Sequence, residues 1–255
     1  MYGWIHQCAE DLVCGRFGHD AWARTLLEAG FSHVGHGGWI REKYYDDSVI
    51  YSLVAGASKA LGITQVQVLG AFGTHFVHFA EKAGYGKLMR SMGETLEDFC
   101  DGLDRMHRHL AKTMPDIVFP AFWTSRDAVG GEERLLVHYS SLRPALAPMV
   151  ETILVEVGAL YFDTRVSASI VKPQELNEAT GEYESTIAVV AEKEETPSES
   201  VDKKLFRARS GNAKDGEGTA ADANGADADG ASAGAVRPAA CAAFVAAVER
   251  ARPRT

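Results

Sequence analysis

The sequence lacks the features of several common protein classes. Its four cysteines include no Cys-x-x-Cys pair, so neither a zinc site nor a disulfide framework is indicated. Glu10 and Asp11 interrupt the first apolar stretch, which argues against a signal peptide, and no apolar run is long enough to cross a bilayer. A formal net charge of -9 argues against a nucleic-acid partner. Together these absences favour a reduced, cytoplasmic protein.

Motifs of nucleotide-binding and metallohydrolase enzymes are also missing. The chain has no phosphate-binding loop, no Gly-x-Gly-x-x-Gly after a strand and no His-Glu-x-x-His. The segment GYGKLM at residues 84–89 lacks both the upstream glycine and the following Ser or Thr of a phosphate loop. We therefore expect that this chain is not itself an enzyme.

Aromatic residues disappear towards the end of the chain. Residues 207–243 contain none and consist mainly of Ala, Gly, Asp and Asn. Such a stretch buries too little apolar surface to offset the entropy lost on ordering. We predict a folded domain over residues 1–191 and a disordered, acidic, Ala/Gly-rich tail over residues 192–255, with AACAAFVAAVERAR as a short helix at its end.

Hydrophobic periodicity divides the folded part into two halves. The first 130 residues have helical periodicity, with predicted helices over 2–18, 19–30, 46–62, 64–84 and 95–115. Gly62 and Pro115 are the predicted stops of the third and fifth helices. Beyond residue 130 a period of two predicts strands over 134–141, 163–172 and 183–192, with a helix over 145–161. The fold class is α+β, a helical subdomain followed by an antiparallel sheet with packed helices.

One of the nine histidines stands out by its position on a predicted helix. His107 shares an apolar face with Leu103 and Leu110, whereas His109 points nearly opposite. Taken alone, His107 is more simply interpreted as a core histidine that is hydrogen-bonded to a carbonyl. We predict that four other histidines lie on the surface: His6, His19, His33 and His36. His75 and His78 are predicted to lie partly exposed at the boundary of the core.

The segment HYSSLRP places Tyr139, Ser141 and Arg143 on one face of a predicted strand. A phenol, a hydroxyl and a guanidinium in register are suited to holding an anion. A histidine in an apolar cavity can be an axial ligand of haem iron, and haem carries two propionate carboxylates. His107 and the three donors together therefore predict a haem pocket.

The same residues resemble the signature of the H-NOX family, the haem nitric oxide/oxygen-binding domains. Five further blocks resemble this family in the same order, between Met1 and about Ala191: MYGWIHQCAEDLV, YYDDSVIYSLVAGASKALG, AFGTHFVHFAEKAGYGKLM, LDRMHRHLAKTMP and LAPMV. The family includes the sensor domain of soluble guanylate cyclase and bacterial stand-alone sensors of nitric oxide. The resemblance implies the fold of that family for residues 1–191.

The resemblance also implies a role for each of nine residues. His107 matches the proximal ligand of the iron, and Tyr139, Ser141 and Arg143 match the clamp on the propionates. The remaining matches lie in the wall of the pocket: Ile5 and Pro120 press on the haem, Phe72 and Phe76 are aromatic positions, and Met149 is distal. The implied cofactor is haem b, iron protoporphyrin IX.

The distal position decides which gas the resemblance implies. Family members that hold oxygen stably use a distal tyrosine as a hydrogen-bond donor, whereas Met149 and its neighbour Pro148 cannot donate. The resemblance therefore implies a ferrous haem that binds NO and CO and excludes O₂. The sequence leaves open whether His78 or Tyr161 supplies a donor from elsewhere in the chain.

The resemblance also implies that this chain signals through a second protein. In related sensors NO releases the proximal histidine, here His107, and frees its helix to shift. The implied effectors are a histidine kinase, a diguanylate cyclase or phosphodiesterase, or a chemoreceptor. Three alternatives remain: a haem enzyme, which would need a distal His/Arg pair or a flavin partner, an O₂-binding haem protein, and a haem-free module.

Overall fold

A computed structural model describes residues 1–114 and 116–192 of the chain. The predicted stop at Pro115 and the tail beyond Glu192 lie outside the described residues. The described elements are, in order, α1 (Gly3–Phe17), α2 (His19–Glu28), α3 (Asp47–Leu61), α4 (Gln65–Ala80), a π-helical turn (Glu81–Tyr85), α5 (Gly86–Arg90), α6 (Leu96–Leu110), β1 (Ala121–Val129), β2 (Glu132–Ser141), α7 (Ala147–Phe162), β3 (Val166–Asn177) and β4 (Glu182–Ala191). The predicted α+β class is confirmed.

Local capping interactions fix where the main helices begin and end. Asp46 caps α3 by accepting a hydrogen bond from the backbone N–H of Ser48 at 2.8 Å, and Gly62 ends that helix with a φ of 67°. Helix α6 begins with a capping box, in which Thr95 and Asp98 each accept a hydrogen bond from the other's backbone N–H. The start of α6, and hence the phase of its faces, is set by the local sequence.

The four strands form one antiparallel sheet in the order β1-β2-β4-β3. The prediction of helices throughout the first 130 residues was wrong for β1, which the sequence analysis missed. The missed signal is the Gly130–Gly131 pair, both with positive φ, which forms the two-residue turn between β1 and β2. The register of this hairpin places Phe122 opposite Tyr139.

The helices pack on one another and on the sheet around a shared apolar core. Helix α7 lies against α4 on one side and against β3 on the other. The close approach of α4 and α7 is marked by the Thr152 hydroxyl, which donates to the carbonyl oxygen of Gly70 at 2.8 Å. Among the described residues no single helix is long and apolar enough to cross a membrane; α3 and the segment Gln65–Arg90 satisfy length and composition only as a pair bent by 109°.

His6 is buried, and its predicted surface position was wrong. Its side chain is 0% exposed and stacks on Trp39 with ring centroids 4.8 Å apart. Its Nδ1 lies 3.2 Å from the carbonyl oxygen of Tyr2, and burial lowers the pKa of His6 to about 4. The predicted surface positions of the other three are confirmed, because His19, His33 and His36 are exposed.

Two glycines of α4 give a matched test of its packing against α7. A Cβ at Gly73 would lie 2.2 Å from the Thr152 hydroxyl oxygen and 2.3 Å from the carbonyl oxygen of Met149. A Cβ at Gly70 would meet its nearest atom, the Thr152 methyl carbon, at 3.4 Å. We expect Gly73→Ala to lower the free energy of unfolding by about 1–3 kcal/mol, because α7 must move away.

The control Gly70→Ala should leave the stability unchanged or raise it by up to about 1 kcal/mol, because Ala is the better helix former. Urea unfolding followed by circular dichroism, at matched haem content, measures both variants. Equal stabilities for the two variants would contradict the close contact at Gly73.

Candidate functional site

A cavity of about 250 Å³ lies between the helices and the end of the sheet. Its wall is mainly apolar and comes from α1, α4, α6, α7, β2 and the segment that joins α6 to β1. Eight of the nine predicted site residues line it: Ile5, Phe76, His107, Pro120, Tyr139, Ser141, Arg143 and Met149. The structure thus brings residues from six separate parts of the chain to one cavity.

His107 enters the cavity from the last turn of α6. Its Nδ1 lies 3.1 Å from the carbonyl oxygen of Pro120, and its ring stacks on Phe119 with centroids 4.8 Å apart. Burial lowers the pKa of His107, so the imidazole is neutral near pH 7. A carbonyl oxygen only accepts hydrogen bonds, so Nδ1 carries the proton and Nε2 keeps a lone pair for a metal.

Tyr139 and Ser141 are alternate residues at the end of β2, so both face the cavity. Both are buried, and burial raises the pKa of Tyr139, so its phenol remains a proton donor at neutral pH. The Ser141 hydroxyl accepts a hydrogen bond from the backbone N–H of Arg143 at 3.1 Å. That bond fixes the turn that leads from the strand to Arg143.

Arg143 is a cation held almost entirely inside the protein, with 8% of its surface exposed. One terminal nitrogen, Nη1, donates to the carbonyl oxygen of Val118 at 2.8 Å. Its Nε forms an ion pair with the Asp47 carboxylate at 2.8 Å. A buried guanidinium in the wall of a cavity favours an anionic ligand.

The predicted wall residues fall into two places. Ile5 and Met149 line both the main cavity and a smaller neighbouring cavity of about 70 Å³. Phe76 and Pro120 line only the main cavity, whereas Phe72 is buried in the wall of the smaller one. Phe72 lies one helical turn before Phe76 on α4, so the aromatic stripe runs past the main cavity and only part of it faces inward.

His78 and Tyr161, which the sequence left open as hydrogen-bond donors to bound O₂, have other partners in the structure. The His78 ring lies on the exposed side of α4, with Nε2 2.7 Å from the Glu156 carboxylate. The Tyr161 hydroxyl donates to the Glu81 carboxylate at 2.8 Å. Neither residue lines the cavity, so neither acts as a donor in this arrangement.

Sequence analysis did not identify Trp4 and Tyr85, which also line the cavity. Their rings lie 5.5 Å apart, and the Trp4 ring is the same distance from that of Phe76. The Trp4 indole Nε1 is buried and has no hydrogen-bond partner. The available signal was that Trp4 immediately precedes Ile5 on α1, but helical phase alone places only one of two adjacent residues on a given face.

The residues of the cavity fit a haem. A porphyrin needs a large apolar slot, one neutral imidazole for the iron, and donors for two propionates. The cavity offers an apolar wall, the free lone pair of His107 and the trio Tyr139, Ser141 and Arg143. The guanidinium of Arg143, buried in the cavity wall beside Tyr139 and Ser141, is the specific observation that supports a carboxylate here.

Comparison of the whole sequence with known proteins agrees with this fit. A family model described as haem-NO-binding matches residues 2–170. Over 182 residues the chain is 30% identical to soluble guanylate cyclase gcy-35 of Caenorhabditis elegans. The aligned region covers 69% of this chain and 25% of that protein. The chain therefore spans about a quarter of the length of this curated relative.

Solved structures share the fold at low sequence identity. An H-NOX protein from S. oneidensis in the Fe(II)NO state has a TM-score of 0.57 and 19% identity, covering 76% of this chain and 100% of that one. An oxygen-binding H-NOX domain in its oxygen complex has a TM-score of 0.58 and 16% identity, covering 76% of this chain and 96% of that one. The expected fold is confirmed by both likenesses.

Proposed function

The chain belongs to the haem-NO-binding family, whose domains are haem-binding gas sensors, and on that premise we propose that it senses nitric oxide. In this proposal it holds haem b, binds NO and CO at the ferrous iron, excludes O₂, and acts in the cytoplasm on a separate effector. The observation that carries the proposal is a neutral His107, with a free Nε2, in the same cavity as the donors Tyr139, Ser141 and Arg143.

The residues of this chain divide the work of holding the cofactor. His107 would ligate the iron through Nε2, while the Pro120 carbonyl holds the imidazole in place through Nδ1. Tyr139, Ser141 and Arg143 would bind the propionates, and Ile5 and Pro120 would contact the porphyrin from the wall. When bound, ferrous haem supplies an open coordination position for a diatomic gas.

The choice of gas rests on the wall of the cavity, because the fold is shared by an oxygen complex and an NO complex. Bound O₂ is strongly polar and needs a hydrogen-bond donor, whereas bound NO and CO are less polar. By the family resemblance Met149 matches the position of the oxygen-binding tyrosine. His78 and Tyr161 are bonded to carboxylates away from the cavity. These positions favour NO and CO over O₂.

Contacts between α6 and β1 support a route by which release of His107 would pass a signal to the sheet. Polar contacts tie this helix to β1: the Thr124 hydroxyl donates to Asp101 at 2.8 Å, and Arg126 pairs with Glu97. A shift of α6 after release of His107 would therefore move β1 at the edge of the sheet. We propose that an effector reads this change, with a histidine kinase, a diguanylate cyclase or phosphodiesterase, or a chemoreceptor as the candidates.

A haem enzyme is less well supported than a sensor. Peroxidase-type chemistry uses a second histidine paired with an arginine on the distal side. Among residues 1–114 and 116–192, His107 is the only histidine in the wall of the cavity. Arg143 accompanies the tyrosine and serine of the propionate trio, so it does not complete such a pair.

A second candidate function is stable binding of O₂, and one observation favours it. The Trp4 indole Nε1 is buried, lies in a residue of the cavity wall, and has no acceptor. An unsatisfied buried N–H gains from any acceptor within reach, including a bound oxygen molecule. NO sensing and stable O₂ binding therefore differ in whether the Trp4 indole N–H reaches the bound gas.

Optical spectra of the ferrous protein test the proposed function directly. We expect a five-coordinate high-spin spectrum, a spectral change on adding NO or CO, and no stable oxygen complex in aerated buffer. A long-lived oxygen complex would contradict NO selectivity and favour the second candidate. In that case Trp4→Phe, which removes the N–H, should shorten the lifetime of the complex if the indole is the donor.

Replacement of the proposed iron ligand has a matched control two residues further along the same helix. We expect His107→Gly to abolish haem retention and free imidazole to restore it, because the cavity then accepts imidazole in place of the side chain. His109→Gly carries a similar helix penalty at an exposed position and should retain haem normally. Haem content per chain, measured by absorbance, separates the two variants, and haem retention by His107→Gly without imidazole would exclude His107 as ligand.

Replacement of Arg143 tests the propionate clamp separately from the iron. Loss of a charged hydrogen bond of about 1.5–3 kcal/mol should weaken haem binding by Arg143→Ala about tenfold or more, without changing the ligand spectrum. Arg134→Ala, on strand β2 that precedes Arg143 but paired with Asp127 at 2.9 Å, should bind haem normally. Haem transfer to apomyoglobin measures both, and a changed iron spectrum in Arg143→Ala would contradict the clamp.

A further inference from the structure

Three metal-ligating side chains meet at the end of α1, outside the haem cavity. Cys14, His19 and His36 each bring one ligand atom within 4.8 Å of the other two. The two imidazole rings have centroids 4.4 Å apart. None of the three residues lines the haem cavity, and neither the proposed haem chemistry nor the propionate clamp uses them.

Glycines with positive φ lie at the turns that bring these residues together. Cys14 lies in the last turn of α1, and His19 is the first residue of α2. Gly18 joins the two helices with a φ of 83°, a conformation that glycine adopts without strain and that folds His19 back towards Cys14. His36 arrives from the loop between α2 and α3, flanked by Gly35 and Gly37, which both have positive φ.

A buried carboxylate supports one of the imidazoles. Glu10, one turn before Cys14 on α1, is only 6% exposed. Its Oε1 contacts Nδ1 of His36 and accepts a hydrogen bond from the backbone N–H of Gly37 at 2.6 Å. A carboxylate on one ring nitrogen is the usual outer partner of a metal-bound histidine, and it leaves Nε2 for the metal.

We propose that Cys14, His19 and His36 bind a zinc ion. One thiolate and two imidazoles are an N/S ligand set that Zn²⁺ prefers, and three protein ligands leave a fourth tetrahedral position for water. His19 and His36 are exposed, so the ion enters from solvent. In the metal-free protein burial, with Glu10 and Asp11, raises the pKa of the Cys14 thiol to about 11, and zinc displaces that proton on binding.

The pair formed by His36 and Glu10 is the competing explanation. It accounts for the position of His36 without a metal, since the Glu10 carboxylate contacts the Nδ1 of that ring. It does not account for Cys14 and His19 lying within ligand distance of the same ring. A shared cation satisfies all three ligand atoms at once.

Zinc at this point would connect three segments of the N-terminal half. It would tie the end of α1 to the start of α2 and to the following loop, in addition to the helix packing and the contacts that Glu10 makes with His36 and Gly37. The other end of α1 carries Trp4 and Ile5 in the wall of the haem cavity. The ion would therefore hold the helix that presses on the haem, which assigns it a structural role.

The test uses the full chain with haem, dialysed against zinc chloride and then against zinc-free buffer. We expect about one zinc per chain by elemental analysis. X-ray absorption at the zinc edge, which haem iron does not disturb, should show one sulfur at about 2.3 Å and nitrogen or oxygen at about 2.0–2.1 Å. Bound zinc without a sulfur neighbour, or an adventitious ion only, removed by the dialysis, would overturn the proposal.

Variants assign the ligands. Cys14→Ser and His19→Gln should each lower the zinc affinity about tenfold or more, with the haem spectrum unchanged as evidence of folding. His33→Ala is the matched control, because His33 is exposed in the same loop as His36 but lies outside the cluster. Unchanged zinc affinity in Cys14→Ser, or equal loss in His33→Ala, would overturn the assignment. None of these outcomes depends on whether the haem senses NO.

Discussion

The hydrogen bond between His107 Nδ1 and the carbonyl oxygen of Pro120 is the constraint on which the proposed sensor depends. It fixes the tautomer, and with it the lone pair on Nε2 that a metal requires. It also ties the end of α6 to the segment that leads into β1, so His107, the proposed iron ligand, is connected to the edge of the sheet through Pro120. A histidine held only by apolar contacts would leave the tautomer and the ring orientation unspecified.

The second constraint is the burial of Arg143. A cation with 8% exposure is stable only when its charge is compensated, and Asp47, Val118 and the cavity are its surroundings. The Asp47 carboxylate pairs with Nε and the Val118 carbonyl accepts a hydrogen bond from Nη1. The site is thus organised before any anion arrives, which lowers the ordering entropy lost on binding.

The sequence predicted those parts of the molecule in which local pattern and burial agree. The α+β class, the Gly62 stop of α3 and the exposed position of His109 are confirmed, because each follows from hydrophobic periodicity or from a capping residue. Strand β1 was missed because its turn signal, Gly130–Gly131, was not used. His6 was misplaced, and Trp4 and the Cys14 cluster were missed, because these positions depend on which distant segment covers a helix face. The roles of the nine site residues remain predictions, although eight of them share one cavity.

Selectivity among gases is the property least determined by fold, and in this chain it depends on α7. Met149 lies on the wall because α7 packs directly on Gly73 of α4, where the carbonyl oxygen of Met149 would lie 2.3 Å from any Cβ. The same packing keeps Thr152 bonded to the α4 backbone, so its hydroxyl is occupied by protein acceptors. Thr152, a polar side chain three residues after the distal position, therefore offers no free hydroxyl proton to a bound gas. Trp4, which comes from α1 instead, is the residue whose reach decides whether the apolar wall excludes oxygen.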